Sequence, residues 1–218
     1  MLVTGELAYN TGSLQKKQGC NANGSSPYSA NEHLGDILLV DRGTCNISLK
    51  ATNAAGAGAI AVVIGNNALQ APGDLPPDFS FGGGVQPIAA YTITLRDANH
   101  LRGVSETAGC PAAGCSNPGA SNAFGQAATI DPASAANLVG NMVASSSRGP
   151  NHSFNAIKPD IGAPGASVST EAGTGTGETA FGGTSGAAPM VSGSAALMLD
   201  KSAALSPRLT GPSGGGSA

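Results

Sequence analysis

Ser185 stands in the segment Gly183-Thr184-Ser185-Gly186-Ala187-Ala188-Pro189-Met190-Val191-Ser192-Gly193, a hydroxyl among small residues with an apolar run after it. A serine hydroxyl is a poor nucleophile at neutral pH. To attack a carbonyl it needs an imidazole to take its proton and a carboxylate to orient that ring. The chain holds three histidines, His33, His100 and His152, and none lies in a Gly-Thr-His type segment. Each is expected to serve its own neighbourhood, because a base must reach the proton it takes. Asp36, Asp41 and Arg42 bracket a short run and invite an acid/base reading, but local hydrogen bonds that fix a turn account for Asp41 and Arg42 better. Four cysteines, Cys20, Cys45, Cys110 and Cys115, allow three disulfide pairings. Cys20–Cys45 with Cys110–Cys115 is favoured, since the second pair closes a small Pro-Ala-Ala-Gly turn. A four-thiolate zinc site would need Cys-x2-Cys knuckles, which are missing.

The elements that must position these groups are legible in part. Ala188, Val191, Ala195 and Met198 recur at helical spacing, so Ser185 falls at a helix start. The free N–H groups there favour negative charge beside the hydroxyl. Pro189 sits about one turn in, where a missing donor costs little. With no charge from Thr179 to Leu199, this helix is expected to be buried on most sides.

Upstream, Asp36 to Val40 reads as a strand and Ile47 to Ala57 as a helix with Leu49, Asn53 and Ala54 near one face. Ala59 to Ile64 reads as a fully buried strand. After a loop over 65–86, Pro87 to Ile93 is a strand. It leads into a helix opened by a Thr94/Asp97 capping box and closed by Gly103. That order makes a small α/β unit. Residues 1–33 read as loops with two short strands and 107–135 as a connection. A strand and turn are expected over 141–150, and a short strand over Ala166 to Thr170.

Composition narrows the classes. Charged residues make up only 11% and aromatics 4%, with 33 glycines and no tryptophan, which suits an exported, loop-rich protein rather than a disordered one. A net charge of −3 without a basic stripe argues against nucleic acid as partner. No run of about 18 apolar residues exists to span a membrane, and residues 1–6 show no secretion signal.

Two resemblances gather these segments. Gly183-Thr184-Ser185 with Ala187-Ala188-Pro189 and Val191-Ser192-Gly193 resembles the nucleophile segment of the subtilisin-like serine proteases, with Gly186 where Met is common and Met190 where His is common. Gly35-Asp36-Ile37-Leu38-Leu39-Val40-Asp41-Arg42-Gly43-Thr44-Cys45, with Ala54-Ala55-Gly56-Ala57-Gly58-Ala59, resembles the protease-associated (PA) domain. Ser146-Ser147-Arg148-Gly149-Pro150 and Lys158-Pro159-Asp160-Ile161-Gly162-Ala163-Pro164-Gly165 are similar to the segments that precede the nucleophile in PA-containing subtilases. Ser13-Leu14-Gln15-Lys16 has the Ser-x-x-Lys spacing of β-lactamase-like enzymes, but their companion motifs are absent.

The resemblance implies an α/β protein in which a small, β-rich PA-type domain is followed by an incomplete subtilisin-like parallel-sheet segment. Its expected divisions are a lead-in over 1–11, a PA domain over 12–106 and a linker over 107–135. The C-terminal part of a catalytic domain follows over 136–207, and a flexible tail over 208–218. Ser185 is then the catalytic nucleophile of a secreted serine endopeptidase. The triad Asp and His, and the oxyanion Asn, lie upstream in that family, so the chain alone is expected to be inactive. Losing the imidazole costs about a millionfold in turnover, and losing one oxyanion donor roughly 3–4 kcal/mol. The expected partners are a protein or peptide substrate and the upstream half of the catalytic domain, with no nucleic acid and no membrane. No cofactor is implied, and a structural calcium known in the family has no carboxylate cluster here to place it. The alternative is a non-catalytic PA-type interaction module carrying a degenerate protease remnant.

Overall fold

The computed structural model describes residues 2–69, 74, 76, 86–112, 114–135, 142–143, 146–150, 155–170, 173 and 175–205. The apolar run Asp36–Asp41 forms β2, flanked by β1 (Val3–Tyr9) and β3 (Ala61–Gly65), with β4 (Ala89–Ile93) beyond β3 and β5 (Ala127–Ile130) beyond β1. β1 to β4 run parallel, and β5 is antiparallel to β1.

β2 and β3 are buried along almost their whole length because both faces are covered, the condition under which a strand reads as continuously apolar rather than alternating. On one face, Leu38, Val40, Val62 and Ile64 pack against α2 (Ile47–Gly56) through Ile47, Ala51 and Ala54. On the other, Ile37, Leu39, Ala61 and Val63 join Leu7, with Phe124 and Ile130 packed against them. Residues of β3 and β5 meet in that cluster although they stand apart in the strand order, so the sheet curls strongly. The expected α/β class holds, as a five-stranded mixed sheet with helices.

The sheet reaches beyond the expected module boundaries of 12 and 106. β1 comes from the expected lead-in, and β5 from the expected connection. Backbone bonds from Leu7 N to Gln126 O and from Gly125 N to Leu7 O, both 2.9 Å, hold that return segment in place. Residues 1–33 contribute one strand and one short helix, α1 (Leu14–Gln18), rather than two strands. Ser13 caps α1, its Oγ accepting from Lys16 N at 3.3 Å, and Lys16 Nζ donates to Glu32 at 2.6 Å; the Ser-x-x-Lys spacing is thus a helix cap.

α3 (Leu95–Arg102) follows its sequence signals closely. Thr94 Oγ1 accepts from Asp97 N at 3.0 Å and donates to Asp97 Oδ2 at 2.7 Å, and Gly103 ends the helix at φ 63°. Both favoured disulfides are present, Cys20–Cys45 and Cys110–Cys115. On α2 the buried stripe is Ile47, Lys50, Ala51 and Ala54 with Asn53, whereas Leu49 is only half-buried.

After residue 135 the described strands are β6 (Ala166–Thr170) and β7 (Glu178–Gly182), an antiparallel pair, followed by α4 (Thr184–Leu205). β6 was expected and β7 was not. Of the strand expected over 141–150, residues 142–143 have no strand structure and 141, 144 and 145 lie outside the described residues. α4 corrects the expected burial: Leu197, Met198 and Leu199 are exposed, and the helix packs chiefly on β6 and β7. The charge-free stretch Thr184 to Leu199 of α4 is buried only where apolar elements exist to cover it, and a single hairpin covers one side. No described helix is long and apolar enough to cross a membrane.

Candidate functional site

Ser185 is the second residue of α4 and is exposed. Gly183 before it has φ 84°, a left-handed turn that glycine adopts without strain. Gly183 N donates to Gly165 O at 2.7 Å, and a Cβ on Gly165 would stand 3.0 Å from Gly183 O, so two glycines bring the Lys-Pro-Asp-containing segment against the helix start. Gly186 N and Ala187 N donate back to Gly183 O at 2.9 and 3.3 Å. Pro189 is the sixth helical residue, beyond the first turn. It therefore removes the bond that the Ser185 carbonyl would accept in a regular helix.

The structure does not bring an imidazole to this hydroxyl among the described residues. His33 is buried in the sheet module, and both its nitrogens are engaged. Nε2 lies 2.6 Å from Asn10 Nδ2, Nδ1 lies 3.0 Å from Asp36 Oδ2, and the ring meets Tyr28 edge-on. His100 is exposed in the last turn of α3, where a cationic side chain suits the helix dipole. His152 lies outside the described residues. Ser185 therefore stands exposed at a helix N-terminus without a proton acceptor among the described residues.

Asp41 does not fix a local turn, as the sequence suggested. Asp41 sits fully buried at the end of β2, ion-paired with Arg102 of α3 and accepting from Tyr9 OH of β1 at 2.9 Å. Arg102 lies 5.0 Å over the Tyr9 ring and donates to Asn99 Oδ1 at 3.1 Å, while Tyr9 stacks on Phe124. Arg42 Nη1 reaches Asn66 Oδ1 at 3.1 Å, past the end of β3. Burial pushes the Asp41 carboxyl above its usual range, and the Arg102 guanidinium opposes that shift. Burial and the adjacent Asp41 charge raise the Tyr9 phenol well above its ordinary value, so it remains a donor. With Asp41 and Arg102 at 1% and 0% exposure, this network ties β1, β2 and α3 together and has no access to a substrate.

An open cleft of about 290 Å³ lies where β3 and β4 end and α3 begins, with Tyr91, Ile93 and Ile130 as apolar lining and Asp97 and Asp131 among its polar groups. The carboxyl ends of parallel strands are where open α/β sheets commonly receive ligands. Among the described residues no group of three or more His, Cys, Asp or Glu side chains is placed to hold a metal.

A parallel four-strand core, capped α3 and a closing antiparallel strand are the frame on which the comparisons bear. The family model of the PA domain matches residues 3–101. These residues are a PA domain. The match begins at β1, nine residues before the boundary of 12 read from the sequence, consistent with β1 lying inside the sheet. Comparison with curated proteins returned no match, and neither did comparison with solved structures.

Proposed function

We propose that this chain is the PA module and nucleophile-bearing segment of a secreted, subtilisin-like serine endopeptidase, in which Ser185 attacks the peptide carbonyl and forms an acyl-enzyme. The PA domain at residues 3–101 supports the coarser reading, a protease-associated or protein-interaction role. The observation that carries the finer one is Ser185 itself, exposed in the first turn of α4 directly after the left-handed Gly183. Helix N–H groups there suit a developing oxyanion. On this reading the imidazole and carboxylate come from the upstream half of the catalytic domain, and without them the hydroxyl stays unactivated. The two disulfides fit an oxidising compartment, and secretion is the simplest route to one.

A second reading, a PA-type binding module with a degenerate protease remnant, is favoured by the lack of any recorded partner for the Ser185 hydroxyl among the described residues. In it the cleft beside α3 takes a protein segment, and Asp97 and Asp131 favour cationic side chains. The coding sequence upstream of Met1 separates the two. An Asp-Thr-Gly-like segment followed by a His-Gly-Thr-His-like one supports the endopeptidase, and an in-frame stop codon overturns it.

A further inference from the structure

Lys50 is a buried titratable group that neither reading uses. It belongs to the buried stripe of α2, is 1% exposed, donates from Nζ to the Gln18 carbonyl, and holds Nζ 3.4 Å from Cys20 Sγ. No carboxylate pairs with it among the described residues. The groups around it are already committed. Asp41 on β2 is paired with Arg102, Tyr28 OH donates to Lys16 O at 2.6 Å, and Lys17 Nζ of α1 donates to Cys115 O at 2.9 Å. Burial lowers the Lys50 ammonium to about 8, a shift that the Asp41 charge opposes without pairing with it. Cys20 is buried and Cys45 only half-buried, and the Thr44 hydroxyl lies 4.0 Å from Cys20 Sγ. The oxidised protein thus keeps a cation against a sulfur that acquires negative charge when the bond opens.

We propose that Cys20–Cys45 is a thiol–disulfide exchange site for a dithiol reductant, with Lys50 stabilising Cys20 as the leaving thiolate. The reductant's thiolate attacks the more accessible Cys45 Sγ, and the S–S electron pair departs on Cys20 Sγ. The reductant's second thiol gives its proton to solvent and attacks the reductant sulfur of the mixed disulfide. Cys45 leaves as a thiolate and takes up a proton. The dithiol ends as a disulfide, and the protein has gained two electrons. A neighbouring cation lowers the leaving thiol's pKa, and a lower pKa speeds departure. Reduction also supplies the buried cation with the anion it lacks, which favours the open form. No described cation donates to a sulfur of Cys110–Cys115, where Lys17 goes to the backbone instead.

The test uses the full chain in dithiothreitol mixtures of graded redox ratio, with both pairs read by differential alkylation and mass spectrometry. Lys50→Met is expected to require at least about tenfold more reductant to open Cys20–Cys45, with the Cys110–Cys115 midpoint unmoved. In Cys45→Ala, Cys20 is the sole thiol, and its ultraviolet thiolate absorbance is expected to titrate below the ordinary value of about 8.5. If Lys50→Met does not fold, this titration decides alone. A Cys20 titration at or above that value overturns the proposal, since burial alone would give it. An opening midpoint indifferent to Lys50 overturns it equally, and a Lys50 that merely fills space would move neither readout.

Discussion

Leu38 and Val40 of β2 are completely buried, whereas Leu197, Met198 and Leu199 of α4 are 73, 72 and 66% exposed. Both runs are apolar and uncharged, yet β2 lies between two strands with α2 on one face and residues 123–130 on the other, while α4 rests on one hairpin. Apolar patterning states a demand for cover, and the demand is met only where the chain supplies a second layer. For the sheet of β1 to β5, α2 and the segment over 123–130 fold back to supply it. For α4 the cover is what the endopeptidase reading assigns to the rest of a catalytic domain.

That contrast breaks if both regions resist opening equally. Amide exchange on the monomer should show β2 and β3 protected about three orders of magnitude or more beyond the second half of α4, since openings range from near zero cost to the global stability. Uniformly strong protection across both would contradict it.

The polar interior gives the next test. Asp41→Ala leaves Arg102 buried and unpaired and should cost about 3–5 kcal/mol in urea unfolding. The exposed Lys158–Asp160 pair lies in the C-terminal region, and Asp160→Ala should cost under about 1 kcal/mol. Comparable losses would mean the two regions are not so different.

Lys50 sharpens the comparison through pH. The unfolded chain keeps this lysine protonated up to about pH 10.4, and the folded chain only up to about 8. Between those values the unfolded state binds the extra proton, so this contribution to stability rises with pH, by on the order of 3 kcal/mol. Lys50→Met should flatten that part of the pH–stability curve, and an unchanged slope would show that Lys50 is not its source. A smaller effect, roughly 1 kcal/mol, is expected for Thr94→Ala from the lost α3 cap, measured by thermal or urea unfolding.

Much of this was readable where the signal is local. The Thr94/Asp97 cap, Gly103 as helix stop, the buried run Ala61–Gly65 and the five-residue Cys110–Cys115 closure each depend on neighbours in sequence. β5 escaped notice because Ala127–Ile130 is four residues long and half exposed, and only pairing with β1 gives it order. The Asp41–Arg102 pair spans 61 residues, too far for any pattern around Asp41 to announce it. A signal did exist on the helices. Leu95, Ala98, Asn99 and Arg102 keep i, i+3, i+4, i+7 spacing, as do Ile47, Lys50, Ala51 and Ala54, so each apolar stripe carries a cation. A cation on a buried stripe asks for a partner. At Ser185 the helix start was legible and the missing base was too. The charge-free pattern by itself suggested burial of α4, whereas the resemblance, with most strands of its sheet missing, implied exposed apolar surface there, and the exposed Leu197, Met198 and Leu199 agree with the second.

The central proposal is that Ser185 is placed as a nucleophile and left unactivated. Incubating the purified 218-residue chain and its Ser185→Ala variant with a fluorophosphonate probe tests it most directly, read by intact-mass spectrometry. The account predicts no adduct above the variant's background on either protein. A stoichiometric adduct on the wild-type chain that Ser185→Ala abolishes would show that these residues hold a working base after all.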